Sequence, residues 1–276
     1  MSKQPIYLPR QPCRVLVVAC AAMLVTISAL HAQSAASPQA QAAVAKVPAY
    51  DVVSIKPNKT GSGRVSISVD DGKFNASNVS LKMMILGAWG LKDPQIVNLP
   101  KWGNSARFDV EAKVLDPDKK VFAALTPEQF QAMQQPILTD RFQLKFHHEK
   151  KVLPIYELLV IKGGPKFKQA PANIAGDTGV SINNGNLIAT AVPLTSLADD
   201  LSNQVSRIVI DKTGLVGKYN FQLSWSPEDA GPPSPDTAAQ PGIFTALQEQ
   251  LGLKLQPGKA EIETFVIDHA EPPSEN

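Results

Sequence analysis

The amino-acid sequence contains an internal repeat, and this repeat restricts the fold more than any motif does. Residues 68–84 align without a gap to residues 181–197. Two more matches follow in the same order, residues 107–110 with 218–221 and residues 142–146 with 251–255. Three ordered matches predict a tandem duplication. The identical pairs of the first match are Ser68/Ser181, Gly72/Gly185, Ala76/Ala189, Val79/Val192 and Leu81/Leu194.

Each copy is predicted to begin with a β-hairpin. Asp71-Gly72 and Asn184-Gly185 are two-residue pairs that favour a type I′ turn, which needs positive φ at both central positions. Before the first turn, Val65, Ile67 and Val69 alternate with polar residues. A period of two predicts strands that bury one face.

A helix is predicted after each hairpin, because apolar residues then recur at helical spacing. Ser80 suits the N-cap or first turn of the first helix, and Pro193 suits the first helical position of the second. A later helix begins at the capping box of Thr126 to Gln129, and its partner covers residues 243–250. Pro136 predicts an early stop or a kink. The helical stripes are Leu81, Met84, Ile85 and Ala88, and then Leu194, Leu197, Ala198 and Leu201.

The rest of each copy is predicted as a strand and a closing hairpin. The strands alternate at Phe108, Val110 and Ala112, and at Tyr219, Phe221 and Leu223. We expect α+β units of the form ββαββαββ, with helices on one face of each small sheet. The expected boundaries are residues 50–165 and 180–272, joined by a linker at 166–179. The expected closing hairpins pair residues 142–148 with 155–162 and residues 253–256 with 264–268, and residues 226–241 are expected to be a disordered loop.

The first 32 residues have the layout of a signal peptide. Lys3, Arg10 and Arg14 precede an apolar run at residues 15–30, which is shorter than the ~20 residues that usually span a bilayer. A retained membrane anchor and a lipidated Cys20 are the alternatives. Residues 33–49 are predicted to be a flexible leader. The chain is therefore expected to be exported to the periplasm or beyond, with no membrane span in its mature part.

Cysteine and charge exclude several classes of function. Cys13 and Cys20 are the only cysteines, so the mature chain is expected to have no disulfide, thiolate metal site or cysteine nucleophile. Loss of three of the 27 basic residues with the signal leaves 24 against 25 acidic ones. A near-neutral chain shows no electrostatic footprint for nucleic acid.

Candidate catalytic and metal-binding residues are few. His147 and His148 are adjacent on a predicted strand and should point to opposite faces, whereas a metal site needs ligands on one face. His148 and Glu149 could meet His269 only if the closing hairpins approach. Ser62 lies between glycines with no histidine nearby. The acid pairs Asp70-Asp71 and Asp199-Asp200 fit turn and solvent-exposed positions. We therefore predict no catalytic residue, no cofactor and no metal.

The three tryptophans are the remaining candidates for ligand contact. Trp225 ends an alternating strand and Trp89 ends a helical stripe, so both are predicted to lie in the core or at its edge. Trp102 lies in a predicted loop at residues 99–103 without apolar periodicity. It is our one candidate contact residue, and the alternative is a loop clamp that packs on its own copy.

The second copy resembles the short N-terminal domain of secretins and of TonB-dependent signal-transducing receptors. The similarity lies in residues 187–201, in Ile208 to Asp211, in residues 214–225 and in residues 245–253. The resemblance implies a periplasmic module that docks onto proteins and has no enzymatic residues. The long loop after Trp225 departs from that pattern.

The whole mature chain also resembles a large family of exported soil-bacterial proteins of unknown function. The residues that carry this resemblance are 50–58 (YDVVSIKPN), 101–103 (KWG), 140–145 (DRFQLK), 211–215 (DKTGL) and 266–271 (VIDHAE). The resemblance implies no activity.

Three functions follow as hypotheses. The leading one is a non-catalytic module that acts through contacts with envelope proteins, by strand addition at an exposed sheet edge. The second is a binding protein for a small molecule or glycan, with its site between the copies. The third is a hydrolase that uses His147 or His148.

Overall fold

The computed structural model describes residues 47–70, 72–171, 178–226 and 240–274. The predicted signal peptide, the predicted leader up to residue 46, Asp71 of the first turn, and most of the predicted loop at 226–241 lie outside these residues. The described residues cluster as one compact unit.

Strands dominate the described residues, and short helices separate them. The strands are β1 (Val52–Pro57), β2 (Ser66–Asp70), β3 (Lys73–Val79), β4 (Ile96–Val97), β5 (Phe108–Lys113), β6 (Lys145–Val160), β7 (Lys168–Gln169), β8 (Gly179–Asn183), β9 (Asn186–Val192), β10 (Val209–Asp211), β11 (Tyr219–Ser224) and β12 (Leu253–His269). The helices are α1 (Leu81–Trp89), α2 (Trp102–Ser105), α3 (Lys119–Ala123), α4 (Pro127–Pro136), α5 (Leu194–Gln204) and α6 (Ile243–Ala246).

The strands form three sheets of four strands each within the described residues. The N-terminal sheet has the order β1-β5-β3-β2, and the C-terminal sheet has the matching order β7-β11-β9-β8. The central sheet has the order β10-β6-β12-β4. Helices α1 and α5 supply buried residues to the cores under the two outer sheets. The predicted α+β class is confirmed.

Local sequence signals account for the hairpins and helix starts. Asn184 and Gly185 have φ of 43° and 75°, as a type I′ turn requires. The Ser80 side chain accepts a hydrogen bond from the Met83 backbone and caps α1. Thr126 and Gln129 form the predicted capping box of α4. The predicted place of Pro193 was one residue off, because its extended backbone makes it the N-cap of α5.

The early stop predicted at Pro136 agrees in part with the structure, and both later helices end in a π-helical turn. The α-helix α4 ends at Pro136, and one π-helical turn at Ile137–Arg141 follows it. The helix predicted at residues 243–250 likewise consists of α6 and a π-helical turn at Leu247–Leu251. A residue with positive φ follows each turn closely, Gln143 at 50° and Gly252 at 67°.

The two predicted closing hairpins are wrong. Residues 145–160 and 253–269 are each one long strand, and β6 pairs antiparallel with β12 from Leu253↔Val160 to His269↔Lys145. The stretch predicted to turn in β6 has no glycine or asparagine to take positive φ. Pairing the two strands along their length satisfies their backbone groups without such a turn. We call this pair the β6–β12 ribbon.

The ribbon connects the two halves of the chain, because each of its strands contributes residues to the core of the other half. The short strand β4 pairs parallel with β12 at Phe265 and Val266, whereas β10 pairs parallel with β6 at Tyr156 to Leu158. Phe265 and Ile267 therefore lie in the N-terminal core, and Leu158 lies in the C-terminal core. Each core is completed by a strand from the other half of the sequence. The predicted domain boundaries remain a prediction.

Candidate binding surface

Trp102 lies at the edge of the N-terminal core. It starts the short helix α2, not a loop as predicted, because Pro100 accepts a hydrogen bond from Gly103 and tightens the chain there. Its ring stacks on Phe142 with centroids 6.4 Å apart and meets Phe108 edge-on at the same distance. This geometry favours the clamp alternative. A contact role for Trp102 remains a prediction.

Trp89 and Trp225 pack in the cores, as predicted. Trp225 is buried in the C-terminal core. Trp89 meets Phe146 edge-on at 5.1 Å and Phe265 at 4.9 Å, so it packs against both strands of the ribbon.

The histidines lie on the surface of the ribbon, each beside a different carboxylate. His147 Nδ1 is 2.9 Å from Asp268 Oδ1, and His148 Nδ1 is 3.4 Å from Glu263 Oε1. These pairs face opposite sides of β6, as the adjacent positions predict. The third histidine, His269, contacts Glu271. Across residues 47–274, apart from the gaps given above, no group of three metal-binding side chains comes together.

Ser62 lies in the loop before β2, Asp70 lies at the end of β2, and Asp199 and Asp200 lie on α5. Ser62 accepts a hydrogen bond from the Arg64 backbone through its hydroxyl and one from the Asn78 side chain through its carbonyl. Asp199 pairs with Lys92 at 3.5 Å. Burial raises the pKa of Asp200, although Lys92 opposes the shift.

The edge strand β2 is the most unusual surface of the described chain. All five of its residues are exposed, and β3 is its only partner in the N-terminal sheet. Val65, Ile67 and Val69 lie in one row with 37%, 57% and 44% of their surfaces exposed. The period of two at these positions predicts a buried row. That prediction was wrong, since the helices cover β3 and β5 but leave the row beyond them open.

The backbone of the same three residues points away from the sheet. Asp70 pairs with Lys73 across a two-residue turn, so these two residues exchange hydrogen bonds. Bonded and non-bonded pairs then alternate along the ladder, which directs the backbone of Ser68 and Ser66 to β3 as well. The amide and carbonyl groups of Val65, Ile67 and Val69 are therefore directed outward. An exposed apolar edge of this kind is a template for another strand.

Two polar side chains border the apolar row. Arg64 precedes β2 and Asp70 ends it, and both are exposed. Within the described residues neither makes an ion pair. Asn78 holds the backbone before β2 by donating to the carbonyls of Ser62 and Arg64, the latter at 3.1 Å. The start of the edge strand is thus fixed in place.

The corresponding edge of the C-terminal sheet is more covered. In β8, Val180 packs against the C-terminal core, and Ile182 is 37% exposed. The other side chains of β8 are uncharged. The two edges are therefore not equivalent surfaces.

The open face of the N-terminal sheet carries a second feature, a pair of adjoining depressions. One measures about 460 Å³ and is bordered by Lys73, Glu111 and Lys113. The other measures about 240 Å³. Both include Asn75 and Glu111. They lie on one sheet and not between the two halves.

Asp109 organises the end of this open face. Its Oδ1 accepts hydrogen bonds from Asn58 at 2.8 Å, from the Ser77 hydroxyl at 2.7 Å and from the Asn78 backbone at 2.9 Å. These bonds, with that from Ser77 the strongest, lower the pKa of Asp109. The carboxylate holds a β-bulge at Asn78, whose φ is 58°.

The fold of the described residues is an α+β fold with an open sheet edge at β2. The chain belongs to the family described as "Protein of unknown function (DUF3738)", whose profile matches residues 82–270. The match begins within α1, so β2 and β3 precede it. No curated protein and no solved structure is detectably similar to the chain. None of the helices described here has the length and apolar character needed to cross a bilayer.

Sequence reasoning missed the edge of β2 as a surface. The alternation of Val65, Ile67 and Val69 was visible, but alternation does not tell whether a helix covers the apolar face. The exposure of this row follows from the position of β2 at the end of the strand order. That order depends on the long-range pairing of β3 with β5, which the alternation of residues does not show.

Proposed function

We propose that the chain is an exported, non-catalytic module of the cell envelope that acts through protein contacts, and that the edge of β2 is its contact surface. The observation that carries this proposal is the exposed row of Val65, Ile67 and Val69 with its outward-directed backbone. An added strand supplies hydrogen bonds to that backbone and covers the row.

Three features support the proposal. The layout of the first 32 residues supports export. The similarity of residues 187–253 to the short domain of secretins and TonB-dependent receptors supports docking. His147 and His148 are exposed and contact separate carboxylates, Asp268 and Glu263, which supports a non-catalytic role.

We also propose that the two halves arose by duplication. The outer sheets share one strand order, and each carries a left-handed residue held by a side-chain oxygen at the matching place. Asp109 accepts from the Asn78 backbone at 2.9 Å, and Asn220 accepts from the Ala191 backbone at 2.7 Å. The reciprocal pairing of β4 with β12 and of β10 with β6 supports the same origin.

The test of the contact surface is site-specific photo-crosslinking in the producing cell. A benzophenone amino acid is placed at Ile67, and at two exposed controls, Ile182 on β8 and Val152 on the ribbon. We expect a discrete protein adduct from position 67 and none from the controls. Absence of any adduct at position 67, or equal adducts at all three positions, would contradict the proposal.

A second candidate function is binding of a small polar ligand, such as a glycan, on the open face of the N-terminal sheet. The two depressions that share Asn75 and Glu111 favour it. Calorimetric titration with neutral and acidic oligosaccharides tests it. Binding that is lost in Asn75→Ala but kept in Asn186→Ala, on the other outer sheet, is the expected result. If no oligosaccharide binds, this candidate fails.

A further inference from the structure

We infer that the strand which covers the edge of β2 is the β2 of a second copy of this chain, paired antiparallel about a two-fold axis at Ile67. This inference rests on the proposed function and names the partner of the same surface. It follows from the sequence of β2 and the residues that flank it, because this segment is complementary to itself.

The self-complementarity lies first in the apolar row. In an antiparallel pair centred on Ile67, Ile67 faces Ile67 of the second copy, and Val65 faces Val69 on either side. Directly opposed residues share one face of the sheet. The three exposed apolar side chains of each copy would therefore cover those of the other, which removes the row from water.

The hydrogen-bonding phase agrees with the same register. Val65, Ile67 and Val69 are the residues whose backbone groups point outward, and the register opposes these residues to one another. Each opposed pair of this kind exchanges two hydrogen bonds, which gives about six across the junction. The two N-terminal sheets would then form one continuous sheet.

Opposite charges at positions 64 and 70 favour the same register. Arg64 faces Asp70 of the second copy twice, once on each side of the axis, and the serines at positions 66 and 68 face each other between them. Opposite charges directly across a ladder are favourable, and like charges are unfavourable. Because Asn78 holds the backbone carbonyl of Arg64, the residue enters the pair already positioned.

The edge of β8 does not offer this complementarity. Its alternating residues are Val180 and Ile182, and its remaining residues are glycine, serine and asparagine. Val180 packs against the C-terminal core of its own chain. A second copy is thus expected at β2 and not at β8, which makes β8 the matched control.

The experiment is sedimentation equilibrium on the chain purified after export, from about 1 μM to about 1 mM, the range of a weak to moderate interface. We expect a monomer–dimer equilibrium. Ile67→Lys places two lysines face to face on the axis and should weaken the dimer by more than about tenfold. Ile182→Lys should leave it unchanged. Circular dichroism confirms that each variant is folded.

Charge reversal tests the register without altering the apolar row. Arg64→Asp alone and Asp70→Arg alone each create like-charge pairs and should each weaken the dimer. An equimolar mixture of the two variants has opposite charges at both junctions, so it should regain dimer formation. The double variant should dimerise alone.

The outcomes separate this inference from the proposed function. A wild-type monomer throughout the range, a dimer insensitive to Ile67→Lys, or charge variants that do not recombine would overturn the second copy as partner. If photo-crosslinking at Ile67 then yields an adduct with a different protein, the proposed contact surface stands with another occupant. If position 67 yields none, both proposals fail.

Discussion

The N-terminal and C-terminal sheets share a strand order and a bulge, but their exposed surfaces differ. In each bulge a side-chain oxygen accepts from the backbone of the left-handed residue, from the Asp109 carboxylate in one sheet and from the Asn220 amide in the other. The open face around Asp109 carries Lys73, Glu111 and Lys113, whereas the other open face is formed mainly by uncharged polar residues.

This comparison separates what the architecture requires from what it leaves free. Strand order, bulge and buried stripes recur in both halves because the packing depends on them. Charge on the open face and exposure of the edge strand do not recur. Under the proposed function, these free properties are what distinguish the two sheets, and binding uses the N-terminal sheet because its edge strand is exposed.

The largest expected effect is on cooperative folding, and it tests whether each half needs the ribbon strand that the other half supplies. Residues 47–165 alone lack Phe265 and Ile267, which lie in the N-terminal core, and lack the partner of β6. We expect this fragment to show no cooperative unfolding transition by circular dichroism, because its core and its ribbon are incomplete.

Co-expression provides the control for this prediction. Residues 47–165 and 166–276 produced together should form a complex with a cooperative transition, since each supplies the strand that completes the other. A fragment of residues 47–165 that folds cooperatively alone would show that the ribbon strand of the other half is not needed for stability.

The next effect compares the left-handed residues that follow the two π-helical turns. Gly252→Ala would place a Cβ against the carbonyl oxygen of Gly164, and alanine disfavours the positive φ. We expect a loss of about 3–5 kcal/mol in the free energy of unfolding, measured in urea. Gln143→Ala, at the matching place, replaces a residue that already tolerates this φ and should cost less than about 1 kcal/mol. Equal losses would contradict the comparison.

Local features of the fold were predictable from sequence, and long-range ones were not. The turn at Asn184-Gly185, the cap at Ser80 and the box at Thr126 each depend on a few adjacent residues. The β6–β12 ribbon joins residues more than a hundred positions apart, for example Lys145 with His269. Two shorter hairpins fit the same alternation of apolar and polar residues, so periodicity alone could not distinguish them from one long pair of strands.

The candidate surface shows the same division. The apolar alternation before the first turn was visible in the sequence, but its exposure depends on which strands the helices cover. The sequence did not indicate that both sheets carry a bulge at the same place, because asparagine (Asn78) tolerates positive φ and alanine (Ala191) disfavours it. Trp102 was placed in a loop because α2 is too short to show a helical period.

A smaller effect is expected at the bulge of the N-terminal sheet. Asn78→Ala removes two side-chain hydrogen bonds to the chain before β2 and leaves alanine at a φ of 58°. We expect a loss of about 2 kcal/mol in unfolding free energy. Asn78→Gly removes the same bonds without the conformational penalty and should cost about 1 kcal/mol less. If the two variants are equally stable, the strain at this position is negligible.

The smallest effect is the acid sensitivity of the Asp109 clamp. Its hydrogen bonds hold the folded pKa below the ordinary value of 3.8, so ionised Asp109 stabilises the folded chain above that value. The contribution is lost as the pH falls through the folded pKa. Asp109→Asn keeps an acceptor oxygen, as Asn220 does, but has no charge. The wild type should therefore exceed this variant by less than about 1 kcal/mol at pH 7, because the carboxylate is only partly buried and solvent screens its charge.

The pH dependence of this difference in unfolding free energy distinguishes a charged clamp from a neutral one. As the pH falls from 7 through about 4 and below, the two unfolding free energies should converge, since the wild-type carboxyl becomes neutral as well. Asn220→Asp is the reverse exchange on the other sheet, and it should introduce acid sensitivity there. A difference between wild type and Asp109→Asn that stays constant with pH would mean that the shape of the acceptor, and not its charge, holds the bulge in both sheets.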